Sequence, residues 1–272
     1  TITGNITYGG TATATLDCDS YVYITSPSSQ TIPPLNYGNL DAMGGDRIFP
    51  NGGTIGICSG FNVNPTLHTY TVTGSTVNYF SPDTGWGMFP FTYHNLTFSG
   101  TGSFSMGGGW SSYSGTKVIN VLGNFTQTNG MINFTTNGYD FSNSATINIS
   151  GNMAITGGTF NMKQGTDSSV ATINLQGNLV VANPGILTAT GTSTATDFNF
   201  TGTANQLVSG TGTINLYRST INKPSGYVVL QRSLEIKRVL TMTSGNIATN
   251  VNTLTLGGST SNVGTLSYTS GF

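Results

Sequence analysis

The chain spells one phrase several times: VINVLGNF at 118–125, TINISGNM at 146–153 and TINLQGNL at 172–179, with a weaker copy, DFNFTGTA, at 197–204. The corner glycines Gly123, Gly151, Gly177 and Gly202 stand 28, 26 and 25 residues apart. Such a period marks a solenoid, in which each repeat is one coil that hides its apolar face only by stacking on the next. Inside each phrase apolar and polar residues alternate. Ile119, Ile147, Ile173 and Phe198 form one column, and Val121, Ile149, Leu175 and Phe200 form another. Between them stand Asn120, Asn148, Asn174 and Asn199. Period-two alternation places the two apolar columns in the core and the asparagines outside, where stacked amides can form a ladder. After the glycine corner a second face follows: Ile132, Phe160 and Leu187, then Phe134, Met162 and Ala189. Gly130, Gly158 and Gly185 lead into it, at a bend that suits a positive φ.

The fold expected is an all-β parallel β-helix with coils of about 25–28 residues, right-handed by the usual sense of parallel crossovers. No linker-like run divides the chain, so residues 1–272 read as one elongated domain. Residues 1–116 are irregular coils, 117–204 regular coils, and 205–272 C-terminal coils that continue into a longer parent chain. The first part carries a longer duplication, IPPLNYGNL at 32–40 and MFPFTYHNL at 88–96. Its offset of 56 is twice 28, which predicts two coils per long repeat. A degenerate relative lies at 211–226.

Charged residues make up only 6 % of the chain, against roughly a quarter in an average soluble domain. The 14 Phe and 12 Tyr supply a core that a disordered chain lacks. A net charge of −1 gives no general attraction to nucleic acid or anionic membrane, and no apolar run reaches the ~20 residues of a span. The charge is unevenly spread. Residues 1–116 carry −4, residues 117–196 zero and residues 197–272 +3. In a solenoid this becomes an axial dipole, which suits head-to-tail self-association.

Cys18 and Cys58 lie 40 residues apart. Two readings stay open, a disulfide across the core and two small buried thiols. The spacing favours thiols, because 40 is not a whole number of coils of about 25–28 residues.

Polysaccharide-cleaving solenoids gather acids, bases and histidines in one groove. Here 9 acids, 8 bases and 2 His are scattered, and His68 and His94 have no acid nearby in sequence. No catalytic residue, metal ligand or cofactor site is expected. Asp17, Asp19, Asp41 and Asp46 are the only calcium candidates, and turn-capping is the simpler role for them. Trp86 and Trp110, with Tyr79, Tyr93 and Tyr113, fall in glycine-rich irregular sequence, where aromatics can stack on sugars or cover the coil. Of these, Trp86, Trp110 and Tyr113 are the candidate ligand contacts.

The stretches TYTVTGSTVNYF…YHNLTFSG (69–100), INKPSG (221–226) and LTMTSGNIATNVNTLTLGGSTSNVGTLSYTSG (240–271) resemble the β-solenoid repeats of large secreted surface proteins of Bacteroidota. Those proteins are adhesin-like and leave the cell by the type IX route. The resemblance implies an extracellular stalk, surface fibre or adhesin, and carries no catalytic residues to transfer. The function expected is therefore structural or adhesive and non-enzymatic. The alternative is a glycan-binding module using the loop aromatics, and the third is a polysaccharide-degrading β-helix enzyme. Partners expected are further copies or coils of the same kind and a cell-surface glycan.

Overall fold

The computed structural model describes residues 17–106, 117–135, 144–164, 170–190, 196–258 and 263–270. Among them every regular element is a strand, and every strand pairing is parallel. The chain is a β-solenoid.

Three faces wind about the core of the regular coils. The first stacks Thr92–Tyr93, Lys117–Val121, Ala145–Ile149, Ala171–Leu175 and Thr196–Phe200. Here the phrase repeats pair in the predicted register. Ile119, Ile147, Ile173 and Phe198 are buried, as are Val121, Ile149, Leu175 and Phe200. Behind the glycine corner comes a middle face that periodicity misses: Asn95–Phe98, Phe125–Gln127, Met153–Ile155 and Leu179–Val181. Three-residue strands are too short to show a period, and Gln127 faces inward among apolar residues. The Ile132, Phe160 and Leu187 column therefore belongs to a third face, not the second. Farther on, Leu216–Leu230 and Leu234–Ala248 each run across the first and middle faces.

The corner glycines are needed for space. An added Cβ on Gly151 or Gly177 would collide with the carbonyl oxygen of the corner glycine one coil earlier. Positive φ is found at Gly130 (66°) and Gly158 (70°), where the chain enters the third face, but not at Gly185, where the same bend is expected to take it.

Coil length is not constant. On the first face Asn120, Asn148, Asn174 and Asn199 stack at steps of 28, 26 and 25 residues. On the middle face Asn36, Gly56, Asn78 and Thr97 stack at steps of 20, 22 and 19. The 56-residue duplication is consequently not two coils. Both copies keep the same local form, a strand, a bend and a strand: Asn36–Tyr37 then Asn39–Asp41, and Thr92–Tyr93 then Asn95–Phe98. The first copy's leading strand lies in the column that leads to Asn95–Phe98, the second copy's trailing strand. Between the copies the motif has moved by one corner around the axis.

Short coils also decide the cysteines. Cys18 and Cys58 form a disulfide with Cα atoms 5.2 Å apart. Forty residues is about two coils of the N-terminal kind, which brings both cysteines to one corner. The Asp17–Ser20 turn then folds Cys18 across the Gly38 coil to reach Cys58, and the bridge overturns the buried-thiol expectation. Gly38 lies under the bridge, and an added Cβ there would meet the carbonyl oxygens of Asp17, Cys18 and Ser20.

Candidate functional site

The outer surface of the first face is a lane of amides. Asn120 Nδ2 donates to Thr92 Oγ1 at 3.3 Å. Asn148, Asn174 and Asn199 each donate from Nδ2 to the preceding Oδ1 at 2.8 Å. The ladder stops at Asn199, whose buried Oδ1 has no partner, because the next rung carries Thr220. Each ladder amide uses one N–H along the axis and keeps the other. Thr146 and Thr172 stand two residues before Asn148 and Asn174, so the lane pairs an amide column with a hydroxyl column.

A second asparagine ladder runs at the glycine corner. Asn95, Asn124 and Asn152 accept through Oδ1 from the backbone N–H of Asn124, Asn152 and Asn178. Sequence reading missed it, although the Gly-Asn pair inside the first three phrases carried the signal.

At its N-terminal end the lane runs into a cleft of about 300 Å³ lined by Pro65, His68, Tyr70, Pro90, Phe91, Thr92, Val118 and Asn120. The 64–69 turn forms one wall. Asn64 holds it by accepting from the backbone N–H of Leu67 and His68 at 3.2 and 3.0 Å and from Thr66 Oγ1 at 2.6 Å. The Tyr70 hydroxyl accepts from Asn64 N at 2.8 Å and donates to Ala42 O at 3.0 Å, tying the turn to the coil beneath. Burial raises the pKa of that hydroxyl, which stays protonated and in place. The Tyr70 ring meets Phe91 edge-on at 5.2 Å, giving an apolar floor. The opposite rim is Thr92, Val118 and Asn120.

The earlier site residues fall apart from this place. Asp17 caps a turn through its carbonyl, which accepts from Ser20 N and Oγ. Asp41 Oδ1 accepts from Met43 N at 3.3 Å, and Asp46 Oδ1 from Thr69 N at 2.8 Å. Asp19 is exposed. Among the described residues no group of three or more His, Cys, Asp or Glu comes together. Tyr79 and Tyr93 are not displayed on loops; both are fully buried and share a hydroxyl contact of 3.0 Å. Trp86 lies in the Thr84–Met88 strand, beside a bulge at Gly85, not in a loop. Trp110 and Tyr113 lie outside the described residues. His94 is half-buried and apart from the cleft.

Fold and site together define a parallel β-solenoid with an amide-paved face ending in a mixed polar and apolar cleft. No family model, curated protein or solved structure matches the chain.

Proposed function

We propose that the chain is an extracellular, non-enzymatic β-solenoid, a structural and adhesive part of a surface fibre or stalk of the Bacteroidota adhesin-like kind. The carrying observation is the side-chain ladder from Thr92 to Asn199, which runs parallel to the backbone ladders of the same coils. Both sets of hydrogen bonds lie along the long axis. Extending or bending the stack strains many of them at once, which suits a load-carrying rod. Two further features agree with life outside the cell. Arg47, Lys117, Lys163 and Lys223 are buried, so half of the eight cationic side chains are withheld from trypsin-like proteases. The Cys18–Cys58 bridge belongs to oxidising compartments.

Immuno-electron microscopy of the producing cells tests the reading, with antibodies raised against the purified chain. Label on extended surface structures is the expected result. Label confined to the cell interior overturns it.

A further inference from the structure

We propose that the cleft at the N-terminal end of the amide lane binds a neutral glycan, with a sugar ring against Tyr70, Phe91 and Val118 and the chain running onto the lane over Asn120 and Asn148. This deepens the adhesive half of the proposed function and rests on it for its biological meaning.

Four observations converge on that ligand class. First, the lining holds no carboxylate, lysine or arginine, so nothing there compensates an anionic or cationic ligand. Its volume of about 300 Å³ lies at the small end of ligand pockets, which run from roughly 300 to 1,000 Å³. Second, the floor and rim divide as a pyranose divides. Tyr70, Phe91, Pro65 and Pro90 offer apolar surface for the C–H face of a ring, and Thr92, Asn120 and His68 offer groups for its hydroxyls. Third, those polar groups have capacity to spare. Thr92 Oγ1 accepts from Asn120 and keeps its own O–H, and Asn120 keeps one N–H. The imidazole of His68 makes no hydrogen bond to the described residues. Fourth, Val118 breaks the pattern of its column. The next two rungs carry Thr146 and Thr172 at that outward position, whereas Val118 presents a 37 % exposed apolar side chain where the column meets the cleft.

The lane supplies direction. Its rungs repeat at the inter-strand spacing of about 4.8 Å, comparable to the advance of one ring in an extended glycan. Each rung offers the N–H that the ladder leaves over. A chain lying along the axis meets the same donor pattern at every coil.

The test is affinity electrophoresis of the purified chain through gels holding neutral polysaccharides (a β-glucan, a xylan, a mannan and soluble chitin), with polygalacturonate as the anionic comparison. Isothermal titration with the matching oligosaccharides follows any retardation. Val118→Arg fills the cleft from an exposed position, and Thr146→Arg obstructs the lane one coil away. Retardation by a neutral polymer is expected, with affinity at least tenfold weaker in Val118→Arg, several-fold weaker in Thr146→Arg, and melting temperatures unchanged. No retardation by any neutral polymer overturns the proposal, as does preference for polygalacturonate, or binding that both variants retain. Because binding is measured on purified protein, its failure leaves surface localisation to be judged separately by microscopy.

Discussion

Tyr37 and Tyr93, 56 residues apart, make the same hydrogen bond: each fully buried hydroxyl donates at 2.9 Å to the carbonyl four residues earlier, Pro33 O and Phe89 O. What the duplication copies is thus a corner, a tyrosine folded back on a proline-bearing turn. Two Pro in the first copy and one in the second restrict that turn, and the buried hydroxyl finds its acceptor in the turn's own carbonyl.

These tyrosines fix the alkaline limit of the protein. Burial raises the pKa of Tyr93 and of Tyr37, and pushes Tyr79 up to about 12. In the unfolded chain each titrates near about 10. Above that pH the folded state holds more protons than the unfolded one, so stability is complete below about pH 10 and falls as pH rises. Lys223 acts in the opposite sense: burial lowers its pKa, so stability grows as the folded lysine loses its proton while the unfolded one keeps it, and the growth is complete near about pH 10.4. Tyr70 is raised as well and Arg47 is lowered like Lys223, so above about pH 10 the four tyrosines dominate. Urea midpoints measured from pH 7 to 12 should hold or rise slightly to about pH 10 and then drop, less steeply in Tyr93→Phe. A midpoint flat to pH 12 would contradict this.

Reduction of the Cys18–Cys58 bridge should loosen the N-terminal coils. A closed loop of 40 residues implies about 4 kcal/mol on chain-entropy grounds. The double variant Cys18→Ser/Cys58→Ser should lose protection of 21–62 in hydrogen exchange, with the regular coils little changed. Gly38→Ala should do similar damage with both cysteines present, because its Cβ has no room. Equal exchange in wild type and variants would refute the assignment.

Arg47 is a fully buried plug. Its guanidinium donates to four carbonyls, Ile24 O at 2.7 Å, Asp46 O at 2.8 Å, Ser26 O at 3.0 Å and Ser28 O at 3.3 Å. Arg47→Met keeps the bulk and takes this donor from Ile24 O, Ser26 O and Ser28 O, while Asp46 O keeps the backbone N–H of Gln30. The expected cost is about 2 kcal/mol, since Ile24 O is the buried acceptor left unpaired, at about 1–3, and the part-buried ones add less. A loss under about 1 kcal/mol in chemical denaturation would show that the carbonyls find other partners.

The asparagine ladder can be both broken and lengthened. Asn148→Ala removes two side-chain hydrogen bonds and strands its neighbours, at about 2 kcal/mol. Thr220→Asn should give the orphaned Asn199 Oδ1 a donor and stabilise by about 1 kcal/mol. If Thr220→Asn destabilises while Asn148→Ala is neutral, the ladder is decorative.

The regular coils were legible because their signal is local and repeated. Alternation in 118–121, 146–149 and 172–175 names inward and outward residues without reference to any neighbour, and the structure pairs them in that register. The cleft was not legible. Its walls come from the 64–69 turn, the 90–92 corner and Val118–Asn120, three segments whose proximity depends on where each coil ends. Loop aromatics looked like the better site because exposure cannot be read from glycine content, and Tyr79 and Tyr93 proved to be core.

By itself, then, the sequence determined that this chain coils, which residues of the phrase point inward, and that asparagines stack outside. Those follow from a two-residue alternation inside a longer period, and both are properties of the chain alone. Tertiary structure decided the number of faces, the changing coil length, the bridge between Cys18 and Cys58 and the cleft beside His68. Each of these depends on the step from one coil to the next. That step is set by how corners such as those of Tyr37 and Tyr93 pack, and no periodicity in the chain records it.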